Sequence, residues 1–140
     1  MSDEIGVKIS ILSDELSASE IEEFLGMKCT HSQERGQMNR LGTKPYEHHV
    51  WCFKTRCIVL PDEYIGDRIS FQIDQLLSTL DKVANRFKKL SETNSVIFGL
   101  YLYAQTVPPM GLSKKQLEAI TALGAELDID LVLHDSPEIA

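Results

Sequence analysis

Ile5, Val7, Ile9 and Ile11 alternate with Gly6, Lys8 and Ser10. That period of two predicts a half-buried strand over roughly Ile5–Leu12, broken by Ser13-Asp14. Ser17 with Glu20 three residues later forms a capping box, and Ile21, Phe24 and Leu25 give one apolar stripe. A helix is expected there, closed by Gly26 in the left-handed conformation. Met27–Lys44 is polar and aperiodic, with Gly36 and Gly42, which predicts a long loop. From Glu47 to Lys54 the period of two returns. His49, Trp51 and Phe53 share one face, and His48, Val50, Cys52 and Lys54 the other. Cys57–Leu60 is expected to pair back as a short strand ended by Pro61-Asp62. Ile69, Ile73, Leu76, Leu77, Leu80, Val83, Ala84, Phe87 and Leu90 recur at three- and four-residue steps. They predict one long amphipathic helix over about Arg68–Ser91, bent near Asp81. Ser95–Gln105 reads as a strand, with Val96, Phe98, Leu100, Leu102 and Ala104 on its apolar face. Val107-Pro108-Pro109-Met110-Gly111 makes a turn. Ser113 and Gln116 form a second capping box, Leu117, Ile120 and Leu123 the stripe, and Gly124 the stop. Leu127, Ile129, Leu131 and Leu133 alternate with Asp128, Asp130, Val132 and His134 as a final strand.

The order β-α-β-(β)-α-β-α-β predicts an α+β fold: a largely antiparallel sheet of four or five strands with three helices on one face. The 140 residues fit a single domain over the whole chain. The sheet face turned away from the helices is expected to carry Lys8, Ser10, Ile97, Tyr101, Tyr103, Asp128, Asp130 and His134. It is more aromatic and more acidic than a solvated face requires.

Composition narrows the function classes. Apolar residues at 43% and charged residues at 25% permit a packed core. No apolar run approaches the ~20 residues that span a bilayer. The acidic start Met1-Ser2-Asp3-Glu4 lacks the basic region of a secretory signal, so a cytoplasmic location is expected. Three cysteines (Cys29, Cys52 and Cys57) read as free thiols, not as a disulfide scaffold. A net charge of −7 opposes wrapping of duplex DNA by counterion release. That charge is uneven. Lys28–Cys57 holds six basic residues against two acids, a net of +4, leaving −11 elsewhere. From Gln116 onward there are six acids and no Lys or Arg. Such asymmetry steers a charged partner.

Four stretches together carry a family likeness: Val7-x-Ile9-x-Ile11, the Ser17–Gly26 helix, the lone Trp51, and the ending Leu117-x-x-Ile120-x-x-Leu123-Gly124-Ala125-x-Leu127-Asp128-Ile129-Asp130. The combination resembles the bacterial domain-of-unknown-function family 4279 over nearly the whole chain. Where that family has an aromatic after the Asp-x-Asp run, this chain has Leu131, Val132 and Leu133. The resemblance implies an α+β fold and no established catalytic residue. For some similar small proteins it implies neutralisation of a toxin encoded beside them.

Three chemistries are weighed against ordinary packing. Cys29, His31, His48, His49, Cys52 and Cys57 are six metal-ligand types in 29 residues, yet no C-x-x-C pair exists and His49 and Cys52 point to opposite strand faces. Packed thiols beside strand histidines are the simpler reading, and no metal or other cofactor is expected. A thiol nucleophile at Cys52 or Cys57 lacks a supporting motif. Asp128 and Asp130 share one strand face and suit acid–base work, cation binding, or simple protection of a sheet edge. No glycine-rich phosphate cradle occurs.

The expected partner-binding residues are therefore Tyr101, Tyr103, Asp128 and Asp130, an acidic and aromatic patch suited to a basic protein. The expected function is a non-enzymatic immunity (antitoxin) protein that occludes a basic toxin, with no nucleic acid or membrane as partner. A small hydrolase or transferase using Asp128, Asp130 or a thiol is the alternative. A homo-oligomer, such as a homodimer burying the open sheet face, is the third.

Overall fold

Ile5, Val7, Ile9 and Ile11 are buried on one side of the strand at the centre of a five-stranded sheet. The structure, a computed structural model, describes residues 3–59, 63–106, 108 and 110–134. In chain order the elements are β1 (Asp3–Ser13), α1 (Ala18–Leu25), β2 (His31–Gln33), β3 (His49–Val59), α2 (Ile65–Leu80), a 3-10 turn (Asp81–Val83), α3 (Ala84–Leu90), β4 (Ser95–Ala104), α4 (Lys114–Ala122) and β5 (Glu126–Leu133). The sheet order is β2-β3-β1-β4-β5. β1 pairs antiparallel with both β3 and β4, and β2 antiparallel with β3; only β4 and β5 run parallel. The parallel pair needs a crossover, and α4 supplies it. The fold is thus α+β with a mostly antiparallel sheet, as the alternation of strand and helix patterns predicts.

Periodicity decides the core. Trp51, Phe98, Leu100 and Leu102 join the β1 isoleucines on the covered face, and Ile69, Ile73, Leu76, Leu80, Phe87 and Leu90 meet them from the helices. The Trp51 and Phe87 rings meet edge-on, with centroids 5.8 Å apart. The predicted long helix is one rod bent at Asp81–Val83, where it tightens into a 3-10 turn. Both capping boxes form: the Ser17 side chain accepts from the Glu20 amide, and that of Ser113 from the Gln116 amide.

Four expectations need correction. Cys57–Leu60 is no separate strand: β3 runs unbroken to Val59, paired with β1 from Ser13–His49 to Asp3–Val59. The eleven residues of β1 present a full row of backbone donors and acceptors, and a continuous β3 satisfies it. (Leu60, Pro61 and Asp62, like Val107 and Pro109 of the predicted turn, lie outside the described residues.) The additional strand is β2, inside the stretch read as a loop. In α1 and α4 the inward stripe is shifted: Phe24 and Leu117 are exposed while Ala18 and Gln116 are buried. Gln116 turns in because its Nε2 donates to Asp74 Oδ1 at 3.0 Å and to Ser70 Oγ at 3.2 Å on α2. Finally, the apolar side of β5 is not fully covered. Leu127, Ile129 and Leu133 are 38%, 43% and 55% exposed, because β5 is the last strand of the sheet.

The turn that delivers β5 is tightly built. Gly124 has φ +71°, and a Cβ there would collide with Ser91 Oγ at the end of α3. Gly124→Ala is expected to cost about 2–4 kcal/mol, the left-handed penalty plus overpacking. Gly42→Ala, also at positive φ (+68°) but with nothing within 4 Å, should lose only the first part. Urea unfolding of the two variants checks this; equal losses would contradict the packing assigned to Gly124.

Candidate functional site

Side chains on the uncovered face fall into ranks that cross four strands, because paired residues in a sheet share a face. One rank reads Lys54, Lys8, Gly99, Asp128 from β3 to β5; the next reads Arg56, Gly6, Tyr101, Asp130. Charge therefore changes sign across the sheet, basic over β3 and β1, acidic over β5. Two glycines sit where bulky side chains would otherwise fill the middle. The gap is a groove of about 500 Å³ floored by Gly6 and Gly99 and flanked by Tyr101, Lys8, Lys54, Arg56, Asp128 and Asp130. The Lys8 stem lies across Gly99, whose added Cβ would come within 2.9 Å of Lys8 Cε. An isolated glycine in a strand often marks such a close approach.

The groove holds unpaired charge. Arg56 Nε donates to Glu4 Oε1 at 3.3 Å, which neutralises one end. Lys8, Lys54, Asp128 and Asp130 make no ion pair among the described residues. Asp128 and Asp130 are exposed and Tyr101 is half-buried. Of the four residues predicted to meet a partner, Tyr101, Asp128 and Asp130 line this groove together. Tyr103 is on the same face but does not line it. Its ring stacks on His134 at a centroid distance of 4.5 Å, and His134 Nε2 in turn lies 2.9 Å from Asp3 Oδ1. That pairing ties the ends of β1, β4 and β5 together, so Tyr103 has a structural contact of its own.

The metal-ligand types are dispersed. Cys29 packs against the core, and burial together with the adjacent Glu22 carboxylate pushes its thiol pKa up, which disfavours a nucleophilic thiolate. Cys52 is buried. His31 faces Gln33 at 3.2 Å, His48 faces Asp14 at 2.6 Å, and His49 faces Glu34 at 2.8 Å. No three of these groups converge among the described residues, and the Cys57 side chain lies outside them.

Sequence reasoning placed the acids and recorded the basic charge of Lys28–Cys57, but it did not bring Lys54 and Arg56 to this face and missed the glycine floor. It also read as one loop a stretch that forms a projecting hairpin. Gly36 donates to Tyr46 O at 2.9 Å, and Tyr46 returns a bond to Gln37 O at 2.8 Å. Asn39 and Lys44 continue the arm, and Leu41 at its tip is 84% exposed. Asp14 tethers the base of the arm: its side chain pairs with His48, and its carbonyl accepts from Arg35 at 3.1 Å.

The hydrogen bond to His48, helped by the charges of His48, Arg35 and His49, holds the Asp14 carboxyl below the usual aspartate range. A carboxylate with a lowered folded value stabilises the fold above its unfolded-chain value. That contribution fades as pH falls through the lower folded value. An NMR titration is expected to give Asp14 a depressed midpoint that rises toward the ordinary aspartate value in His48→Ala, where Arg35 and His49 remain. An unchanged midpoint in that variant would contradict the tether.

These features define a class first: a one-sheet α+β protein with helices on one face and a charge-divided groove on the other. The chain belongs to the family described as Domain of unknown function (DUF4279), whose model matches residues 3–134. Comparison with curated proteins and with solved structures gave no match. No described helix is long and apolar enough to cross a membrane.

Proposed function

We propose that this protein is a cytoplasmic protein-binding module that neutralises a cognate bacterial toxin by direct binding and occlusion of its active site. The observation that carries the reading is the unpaired, exposed pair Asp128 and Asp130 beside Tyr101 on an uncovered sheet face. Many toxins that act on nucleic acids or nucleotides present basic active sites. An acidic surface accelerates encounter with such a site, and a Tyr beside it adds large contact area with a polar tip. The sheet supplies a rigid support for both. Co-expression with the product of the neighbouring gene tests this. A stable complex and restored growth are expected; no complex and no rescue would end the reading.

The groove favours a second reading, a small hydrolase or transferase, because opposed Lys and Asp side chains suit acid–base work. A turnover that disappears in Asp128→Asn and Asp130→Asn, with partner binding intact, would put that reading first.

A further inference from the structure

Among the described residues, β5 is hydrogen-bonded on one side only. It pairs with β4 along its length, and no described strand lies beyond it. An edge of this kind exposes every second backbone N–H and C=O and is a template for another strand. Natural proteins often shorten or cover such edges, yet β5 is eight residues long.

We propose that the outer edge of β5 takes up an extended segment of a partner protein, one whose side chains alternate between apolar and basic. The inference rests on the reading of this side of the molecule as partner-binding and states how the partner is held. Each face of β5 specifies half of that alternation. On the helix side, Leu127, Ile129 and Leu133 are only partly covered, so an added strand would extend the core with its own apolar side chains. On the open side, Glu126, Asp128 and Asp130 are exposed and carry no ion pair among the described residues. Directly opposed side chains on neighbouring strands stand about 5 Å apart, close enough for each acid to meet a Lys or Arg.

The same acids disfavour a second copy. Two copies joined edge to edge by a two-fold axis pair antiparallel. With their open faces aligned and the axis at Asp128, Asp128 would face its own copy and Glu126 would face Asp130 of the other. Like charges directly opposed destabilise a strand pair. The other end of the sheet offers a poor substitute, since β2 is only three residues long and has no Asp, Glu, Lys or Arg. Nor does the chain itself supply the missing cations after Gln116, where Lys and Arg are absent. The edge is thus guarded against itself and open to a basic strand.

The test is an NMR titration of the intact protein with a short peptide of alternating valine and lysine. The expected result is amide shifts and slowed hydrogen exchange concentrated on Glu126–Leu133. Affinity should fall about tenfold or more in Asp128→Asn/Asp130→Asn, and further for valine–glutamate peptide. The same valine–lysine peptide with every backbone amide methylated loses all its N–H donors and cannot bring either edge close to β5, without any change to the protein, and should not bind. Undiminished binding of the methylated peptide, shifts centred elsewhere, no binding, or peptide-independent protection of β5 that grows with protein concentration would each overturn the inference. If toxin neutralisation survives while peptide pairing fails, the edge is wrong and the function stands. If peptide pairing holds and co-expression fails, the reverse is true.

Discussion

Phe98→Ala is expected to lower stability by about 3–5 kcal/mol, a large share of the 5–15 kcal/mol that holds an ordinary domain together. Phe98 is wholly buried near the middle of β4, between Ile9 on β1 and Leu127 on β5. Its neighbours are held by sheet pairing on both sides, so they cannot collapse into the space a truncated ring leaves. Leu77 is the instructive comparison. Its place in the helical repeat predicts a core residue, but it is only partly buried against the cluster. Leu77→Ala should therefore cost less, about 1–2 kcal/mol. Urea denaturation measures both, with Trp51 as a buried fluorescent reporter. Equal losses would mean that the helical layer sits elsewhere than described.

Asp128→Lys with Asp130→Lys is expected to weaken partner binding about a hundredfold, roughly tenfold for each reversed charge. Both side chains point to solvent and neither makes an ion pair, so no stabilising contact is lost. The fold should survive with its melting temperature nearly unchanged. Most of the loss should appear in the association rate and should shrink as salt rises, because exposed charges are screened over about 8–10 Å. Calorimetry and surface binding at two salt concentrations measure this. Normal binding by the double variant would move the interface to the basic segment from Lys28 to Arg56.

Much of the fold was legible because burial and local period coincide in it. Ile5 to Ile11 alternate since one face of β1 meets helices, and the Ile69–Leu90 repeat survives its bend since both halves pack on one sheet. The capping residues Ser17 and Ser113 act on backbone donors three residues away, which a sequence displays directly. What was hidden depends on partners far along the chain. β2 has no apolar period; it is a strand because Thr30 to Gln33 lie beside Val50 to Cys52. Gln116 points inward because Asp74 and Ser70 wait there on another helix. Leu127 and Ile129 look like core by alternation, yet only the width of the helical layer decides their cover. The acids of the candidate site were visible in the sequence, but the groove was not. It exists because register sets Gly6 beside Tyr101 and Gly99 beside Lys8. Tyr103 shows the converse: its strand face was right, but His134 occupies its ring.

The central claim is that the uncovered sheet face and its acidic strand are where another protein binds. Hydrogen–deuterium exchange of the protein alone and with its captured partner tests it most directly. Protection confined to β5 and the neighbouring part of β4 around Tyr101 is the result expected. Protection on the outer surfaces of α1 to α4, with β5 exchanging as freely as before, would contradict it.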